Sequence, residues 1–232
     1  MKKLSGVIIL LMLLFTACGI EKEKEKEKEI EKLEYKGATN NYKYNLVIPQ
    51  ILNVQSEDIS YFNLSLQENA RLIIDELLES TGEIKPSVPY EAEMSYEVKE
   101  NDFGITSIVV KRYTYTGGAH GNTTLETYNL LDKDLKLINF ESFFNDNAQS
   151  YFEMKINDAI ENKERVKNIN GEEVIFFENP EVNIKNAVIY FEGDSVKFVF
   201  PLYDLAPYSS GMPVFKFSKD EIKKYMKQLE KY

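Results

Sequence analysis

Ile59, Phe62, Leu66, Ala70, Ile73 and Leu77 recur at spacings of three or four residues, so a helix over this stretch carries one continuous apolar face. Thr81-Gly82 ends it. Upstream, YKYNLVIPQI (42–51) alternates and then turns apolar, which predicts a strand stopped by Pro49. Two long strands are predicted near 89–100 and 105–116, joined as a hairpin through Asn101-Asp102-Phe103-Gly104. In the second of them Ile108 and Val110 share a face with Arg112, while Tyr113 and Tyr115 share the opposite face with Val109.

The second half repeats this plan loosely. A strand at Thr124–Leu131 turns at Asp132-Lys133-Asp134 into a short strand, Leu135–Ile138. A helix around 147–163 turns Phe152, Ile156, Ala159 and Ile160 to one side. Strands at 187–192 and 195–202 are joined by Glu192-Gly193-Asp194, and a loop leads to the strand Pro213–Phe217. Ser218-Lys219-Asp220-Glu221 reads as a capping box opening a last helix, with Ile222, Tyr225, Met226 and Leu229 as its apolar stripe. Strands and helices mix without strict alternation, and hairpins join most strands. That predicts an α+β fold: antiparallel sheets with flanking helices, in two loosely similar modules packed together.

The N-terminus follows other rules. Leu4 to Ala17 is an apolar run behind Lys2 and Lys3. At the helical rise it spans only about 21 Å, short of the roughly 20 residues a spanning helix needs, so residues 1–17 read as a signal peptide. Phe15-Thr16-Ala17-Cys18 resembles a bacterial lipobox, with Phe15 in place of the usual leucine. Cys18, the sole cysteine, is the expected lipidation site, and the expected location is extracytoplasmic and membrane-anchored. EKEKEKEKEIEKLE (21–34) sets opposite charges at i,i+3 and like charges at i,i+4 and has almost nothing to bury. Residues 18–41 are therefore expected to be a solvated tether, reaching on the order of 50 Å when extended, with the folded part starting near Tyr42. With 28 Lys and Arg against 38 Asp and Glu, the chain is a poor partner for nucleic acid and a better one for cations.

His120 is the single histidine, so neither a zinc site nor an HExxH motif can be assembled, and no metal or cofactor is expected. A triad would need His120 with Ser209 or Ser210, but no GxSxG elbow occurs, and no catalytic residue is assigned. No spacing singles out a pair of carboxylates, and the glycine run lacks a phosphate-binding lysine. Gly117, Gly118 and Gly121 imply positive-φ positions between two strands. His120 there either closes a structural turn or stands out as a recognition group. A second loop, 203–213, is stiffened by Pro207 and Pro213 and offers Tyr203 and Tyr208, which either contact a ligand or pack over the sheet edge. The binding candidates are Tyr115, Gly117, Gly118, His120, Tyr203, Pro207, Tyr208 and Ser209.

Two stretches carry a resemblance. One is Tyr113-Thr114-Tyr115-Thr116-Gly117-Gly118-Ala119-His120-Gly121, running on to Tyr128-Asn129-Leu130, Leu137 and Phe143-Phe144. The other is Val196-Lys197-Phe198-Val199-Phe200 with Tyr203-Asp204-Leu205-Ala206-Pro207-Tyr208 and Gly211-Met212-Pro213. Together, over about 42–230, they resemble the PdaC/anti-sigma-V-like (RsiV-like) extracytoplasmic domain pair. The resemblance implies an N-terminal PdaC-like module, placed at 42–118, and a C-terminal RsiV-like module, placed at 119–232. Such pairs occur in a lysozyme-sensing anti-sigma factor, beside the catalytic domain of a peptidoglycan deacetylase, and in free-standing lipoproteins. An anti-sigma factor needs a sigma-binding segment before its spanning helix, whereas here the signal peptide is read from residue 1, and one histidine cannot furnish the deacetylase metal set. The expectation is a non-enzymatic envelope lipoprotein binding a basic lysozyme-like hydrolase or peptidoglycan. The alternatives are a peptidoglycan-directed hydrolase or accessory domain of an envelope enzyme, and a structural envelope component.

Overall fold

A computed structural model describes residues 29–54, 56–82 and 85–227. The expected signal peptide, Cys18 and the first part of the charged run lie outside these residues. The rest of that run departs from the expected tether. β1 (Glu29–Ala38) pairs antiparallel with β2 (Tyr42–Leu52) from Ala38↔Lys43 to Glu29↔Leu52. Ile30, Leu33 and Tyr35 pack on the core, while the glutamates and lysines between them face water. The folded part thus includes residues 29–38, ahead of the expected start at Tyr42.

Pro49 does not stop β2. The Thr39 N–H donates to the Tyr42 carbonyl at 2.7 Å, which makes that pair hydrogen-bonded. Alternation along the register then makes Lys32↔Pro49 a non-hydrogen-bonded pair, so the proline nitrogen faces away from β1. On that side the next strand has already left, its pairing ending at Leu46↔Met94. The missing N–H therefore breaks no ladder bond.

α1 (Glu57–Ser80) begins at Ser56, whose hydroxyl accepts from the Ile59 N–H at 3.1 Å. It buries the six predicted residues from Ile59 to Leu77. The helix is the crossover that lets β2 pair parallel with β3 (Tyr90–Lys99). β4 (Ile105–Tyr115), β5 (Asn122–Leu131) and the short β6 (Leu137–Ile138) follow antiparallel, giving a six-stranded sheet in chain order. Leu46, Ile48, Ala92, Met94, Ile108 and Val110 meet α1 on one face. β5 and β6 belong to this first sheet, so the expected boundary at 118/119 cuts through a loop inside the first unit.

The second unit is built on phenylalanine. α2 (Phe140–Phe143), not foreseen from the sequence, is capped by Asn139, with Ser142 reaching back to the cap. α3 (Ala148–Glu161) lies against a sheet of β7 (Lys167–Asn168), β8 (Val188–Glu192), β9 (Ser195–Val199) and β10 (Pro213–Ser218), ordered β7-β10-β9-β8. Phe152 sits 4.5 Å from Phe198 and 4.8 Å from Phe217, ring centre to ring centre. The last helix, α4 (Lys219–Ile222), is a single turn followed by a 3-10 turn over 223–225, shorter than its apolar stripe suggested. Ser218 accepts from the Glu221 N–H at 3.4 Å, but the Glu221 carboxylate is drawn away by the Tyr151 hydroxyl at 2.8 Å. Leu229 lies outside the described residues.

The two units are joined along β8. Its outer edge lies on the first sheet, and side chains there take up its ladder groups. The Phe191 N–H donates to Ser107 Oγ at 3.0 Å, Ser107 Oγ donates to Asn129 Oδ1 at 2.6 Å, and Asn129 Nδ2 donates to the Ile189 carbonyl at 2.8 Å. The Gly193 N–H reaches the Glu100 carbonyl at 2.8 Å, and the Asp102 N–H reaches the Gly193 carbonyl at 2.9 Å. Ser107 is fully buried and Asn129 is 8% exposed, so this junction is dry and fully paired.

Candidate functional site

Holding β8 against β4 and β5 fixes two loops relative to each other: 116–121, between β4 and β5, and 200–212, between β9 and β10. The second loop is anchored at several points. The Phe200 N–H donates to the Pro213 carbonyl at 3.0 Å, and the Phe177 N–H to the Leu205 carbonyl at 3.0 Å. Leu205 and Ala206 are buried. Ser210 is also buried; its hydroxyl donates to the Ile175 carbonyl at 3.1 Å and accepts from the Ile175 N–H at 3.2 Å. Gly211 has φ 69° and ψ −156°, a glycine conformation, and a Cβ there would press on Asn168.

The loops meet at His120. Its ring stacks on Tyr208, with centroids 3.8 Å apart and planes 21° from parallel. The Tyr203 ring lies 6.4 Å from His120 and 5.7 Å from Tyr208. His120 Nδ1 is 2.9 Å from the Gly121 carbonyl, and Nε2 is 3.1 Å from the Tyr203 hydroxyl. A carbonyl only accepts, so Nδ1 carries the hydrogen and Nε2 accepts from Tyr203. The Tyr208 hydroxyl donates to the same Gly121 carbonyl at 2.9 Å. One backbone oxygen and one imidazole thus hold both tyrosines in place.

The rest of the first loop supports this cluster. Gly117 and Gly118 have φ of 99° and 92°, which bend the chain back over β4. The Tyr115 hydroxyl donates to the Gly118 carbonyl at 3.3 Å, and its ring meets Tyr90 edge-on at 6.5 Å. Gly121 is buried against Tyr113, and any Cβ on it would fall inside that ring. Partial burial, and then the charge of Glu91, push the Tyr113 phenol above its ordinary pKa. Pro207, at φ −64°, starts the 3-10 turn that carries Tyr208.

Of the predicted candidates, His120, Tyr203 and Tyr208 are brought into contact, Tyr115, Gly117 and Gly118 shape the loop beneath, and Pro207 sets the turn. Ser209 is exposed, and no described hydrogen bond includes its hydroxyl. Gly121, Tyr113, Ser210 and Asn168 complete the site and were not among the binding candidates; Gly121, expected at positive φ, does not adopt it and is needed for its close approach to Tyr113. Gly121 had the clearest signal, a third glycine beside the histidine. Nothing local marks Asn168, whose amide donates to the Ser210 carbonyl at 3.0 Å across 42 residues.

His120 and Tyr203 are exposed on the surface so formed, with Tyr208 half-buried between them. Tyr203 is 54% exposed and has φ 69°, an uncommon backbone state for a tyrosine that the surrounding contacts sustain. Next to it, Asp204 Oδ1 accepts from Asn186 Nδ2 at 2.9 Å, while Oδ2 is buried with no hydrogen-bond partner among the described residues. Burial raises the Asp204 carboxyl above its ordinary pKa, and Asn186 opposes the shift. The polar partners of His120 are the Tyr203 hydroxyl and the Gly121 carbonyl, and that carbonyl also accepts from Tyr208. Among the described residues no group of three His, Cys, Asp or Glu is placed to hold a metal ion. No described helix is long and apolar enough to cross a membrane.

Comparison with known proteins divides the chain within β5. No curated protein matches the chain significantly. A DUF3298 family member from Bacteroides fragilis is similar in structure, with a TM-score of 0.60 and 15% identity over 88% of this chain and 95% of its own. A DUF3298 family protein from Pseudomonas aeruginosa gives 0.51 and 16%, over 88% and 96%. At these identities the likeness speaks for the fold. Residues 35–123 match the family model "Deacetylase PdaC", and residues 131–220 match "Protein of unknown function (DUF3298)". The chain carries a PdaC domain followed by a DUF3298 domain.

Proposed function

We propose that this chain is a non-enzymatic binding protein of the cell envelope, held to a membrane through lipidated Cys18, and that the His120–Tyr203–Tyr208 cluster is its contact surface. One observation carries the reading: two loops 83 residues apart are bonded together so that His120 and Tyr203 stand exposed over a half-buried Tyr208, already arranged. Rigid tyrosines give large contact area at little entropic cost, and pre-arrangement keeps that cost low on binding. The partner classes are a basic lysozyme-like hydrolase and peptidoglycan. A formal charge of −10 favours the first by steering. A sugar ring stacked on an exposed tyrosine suits the second.

Calorimetric titration of the protein with a basic lysozyme and, separately, with soluble muropeptides, each at two salt concentrations, tests the proposal. Saturable binding to either supports it, and a lysozyme affinity that falls as salt rises identifies the charge contribution. Absence of binding to both removes these partner classes.

A further inference from the structure

A strand at the edge of a sheet carries unpaired N–H and C=O groups, and a folded protein normally protects them. β1 carries three glutamates and two lysines, all exposed. The outer edge of β8 is taken up by Ser107, Asn129 and the 100–102 turn. β5 has neither protection. β6 pairs only with Asn129 and Leu130, leaving the earlier residues of β5 with no strand on that side. The sequence there, Asn122-Thr123-Thr124-Leu125-Glu126-Thr127-Tyr128, holds one charge and no lysine.

The register shows which groups face outward. The Asp132 N–H donates to the Gly104 carbonyl at 2.9 Å, so that pair is hydrogen-bonded. Alternation turns the peptide groups of Thr124, Glu126 and Tyr128 toward β4, and those of Thr123, Leu125 and Thr127 away from it. No described hydrogen bond reaches these three N–H and three C=O groups. Leu125 and Thr127 border a groove of about 620 Å³ that is also lined by Phe140, Glu141, Ile184 and Val188, and Thr123 lies just beyond its end.

We propose that the open edge of β5 is a peptide-binding slot, taking an extended segment of a partner protein as an added strand. Thr123 to Thr127 spans about 13 Å, room for roughly five residues of extended chain. Side chains of the added strand alternate between two environments. One side meets Leu125 and Val188; the other meets Glu126 and Tyr128. Glu126, Glu141 and Lys185 are the charged residues lining the groove, two carboxylates to one ammonium, and Glu126 also accepts from the Tyr128 hydroxyl at 3.1 Å. The preferred segment therefore alternates apolar and basic residues. A one-residue slip would exchange the two sides, so the parity is fixed. The slot is separate from the ring cluster and does not depend on it.

The test uses the full chain and a blocked nonapeptide of alternating valine and lysine. Two further versions carry N-methyl groups on every second amide, in the odd or the even set. Binding should slow hydrogen exchange at the amides of Thr123, Leu125 and Thr127 about tenfold or more, with little change at Glu126 and Tyr128. One N-methylated version should bind at least about tenfold more weakly and the other nearly as well as the parent. Thr127→Pro removes an outward N–H without touching the β4 ladder and should weaken binding about fivefold or more. Val188→Lys, which sets a cation in the apolar side, should weaken it independently. Equal affinity of both methylated versions, protection at amides outside β5, or no binding at millimolar peptide would overturn the proposal.

Discussion

Ser107→Ala tests how the two units are held together. The substitution removes one oxygen from a fully buried position and leaves almost no cavity, so packing changes little. Its cost is polar. The Phe191 N–H loses its acceptor and Asn129 Oδ1 loses its donor, both away from water. An orphaned buried group costs about 1–3 kcal/mol, so the pair should cost about 3 kcal/mol, allowing for partial relaxation. For a chain of this size, each kcal/mol lowers Tm by about 2–4 °C, giving a fall of roughly 6–12 °C. Differential scanning calorimetry gives the Tm, and urea unfolding gives the free energy. Asn129→Ala breaks the same chain and also frees the Ile189 carbonyl, so the double variant should cost less than the sum, with a coupling of about 1–2 kcal/mol. A loss below about 0.5 kcal/mol for Ser107→Ala, or simple additivity, would refute the claim that these bonds weld the junction.

Three further outcomes are expected. Gly121→Ala drives a methyl into the Tyr113 ring and should destabilise the fold by about 1–3 kcal/mol, displacing Tyr113 in a structure of the variant. Asp204, whose carboxyl is raised above 3.8 by burial, binds its proton more tightly folded than unfolded, so its contribution to stability falls as pH rises from about 3.8 through the raised value. Asp204→Asn should therefore gain Tm relative to the parent at pH 7 more than at pH 3.5, and a constant difference across that range would contradict the burial argument. Cys18→Ser should move the protein from membranes to the soluble fraction, whereas a variant that stays in carbonate-washed membranes is anchored some other way.

What the sequence made legible was mostly local. The stripe from Ile59 to Leu77 and the alternation of β3 and β4 carry their own period, and the structure keeps them. β1 escapes a sequence reading because its five charged residues look solvated alone; the strand forms because β2 supplies a ladder and Ile30, Leu33 and Tyr35 have a core to meet. Pro49 was misjudged because its cost depends on which side lacks a neighbour, a property of the register. That β5 continues the first sheet by pairing with β4 is not legible locally, because the second-half pattern reads as a fresh start. Glycines and tyrosines marked the two loops of the site. That His120 would stack on Tyr208 and accept from Tyr203 is a contact across more than 80 residues, and it depends on the buried Ser107–Asn129 junction.

Tyr203→Ala is the most direct probe of the ring cluster as a contact surface. Tyr208 is half-buried, bonded to Gly121 and stacked on His120, so its truncation would mix stability with affinity. Tyr203 is 54% exposed, and the described hydrogen bond of its hydroxyl runs to His120. The measurement is the Kd of the variant for whichever of a basic lysozyme or a muropeptide binds the parent, with Tm recorded on the same preparation. A central tyrosine lost from such a contact costs about 2 kcal/mol, so affinity should drop roughly 30-fold while Tm moves by no more than about 3 °C. An unchanged Kd for that ligand would contradict the account and place the binding surface elsewhere on the molecule.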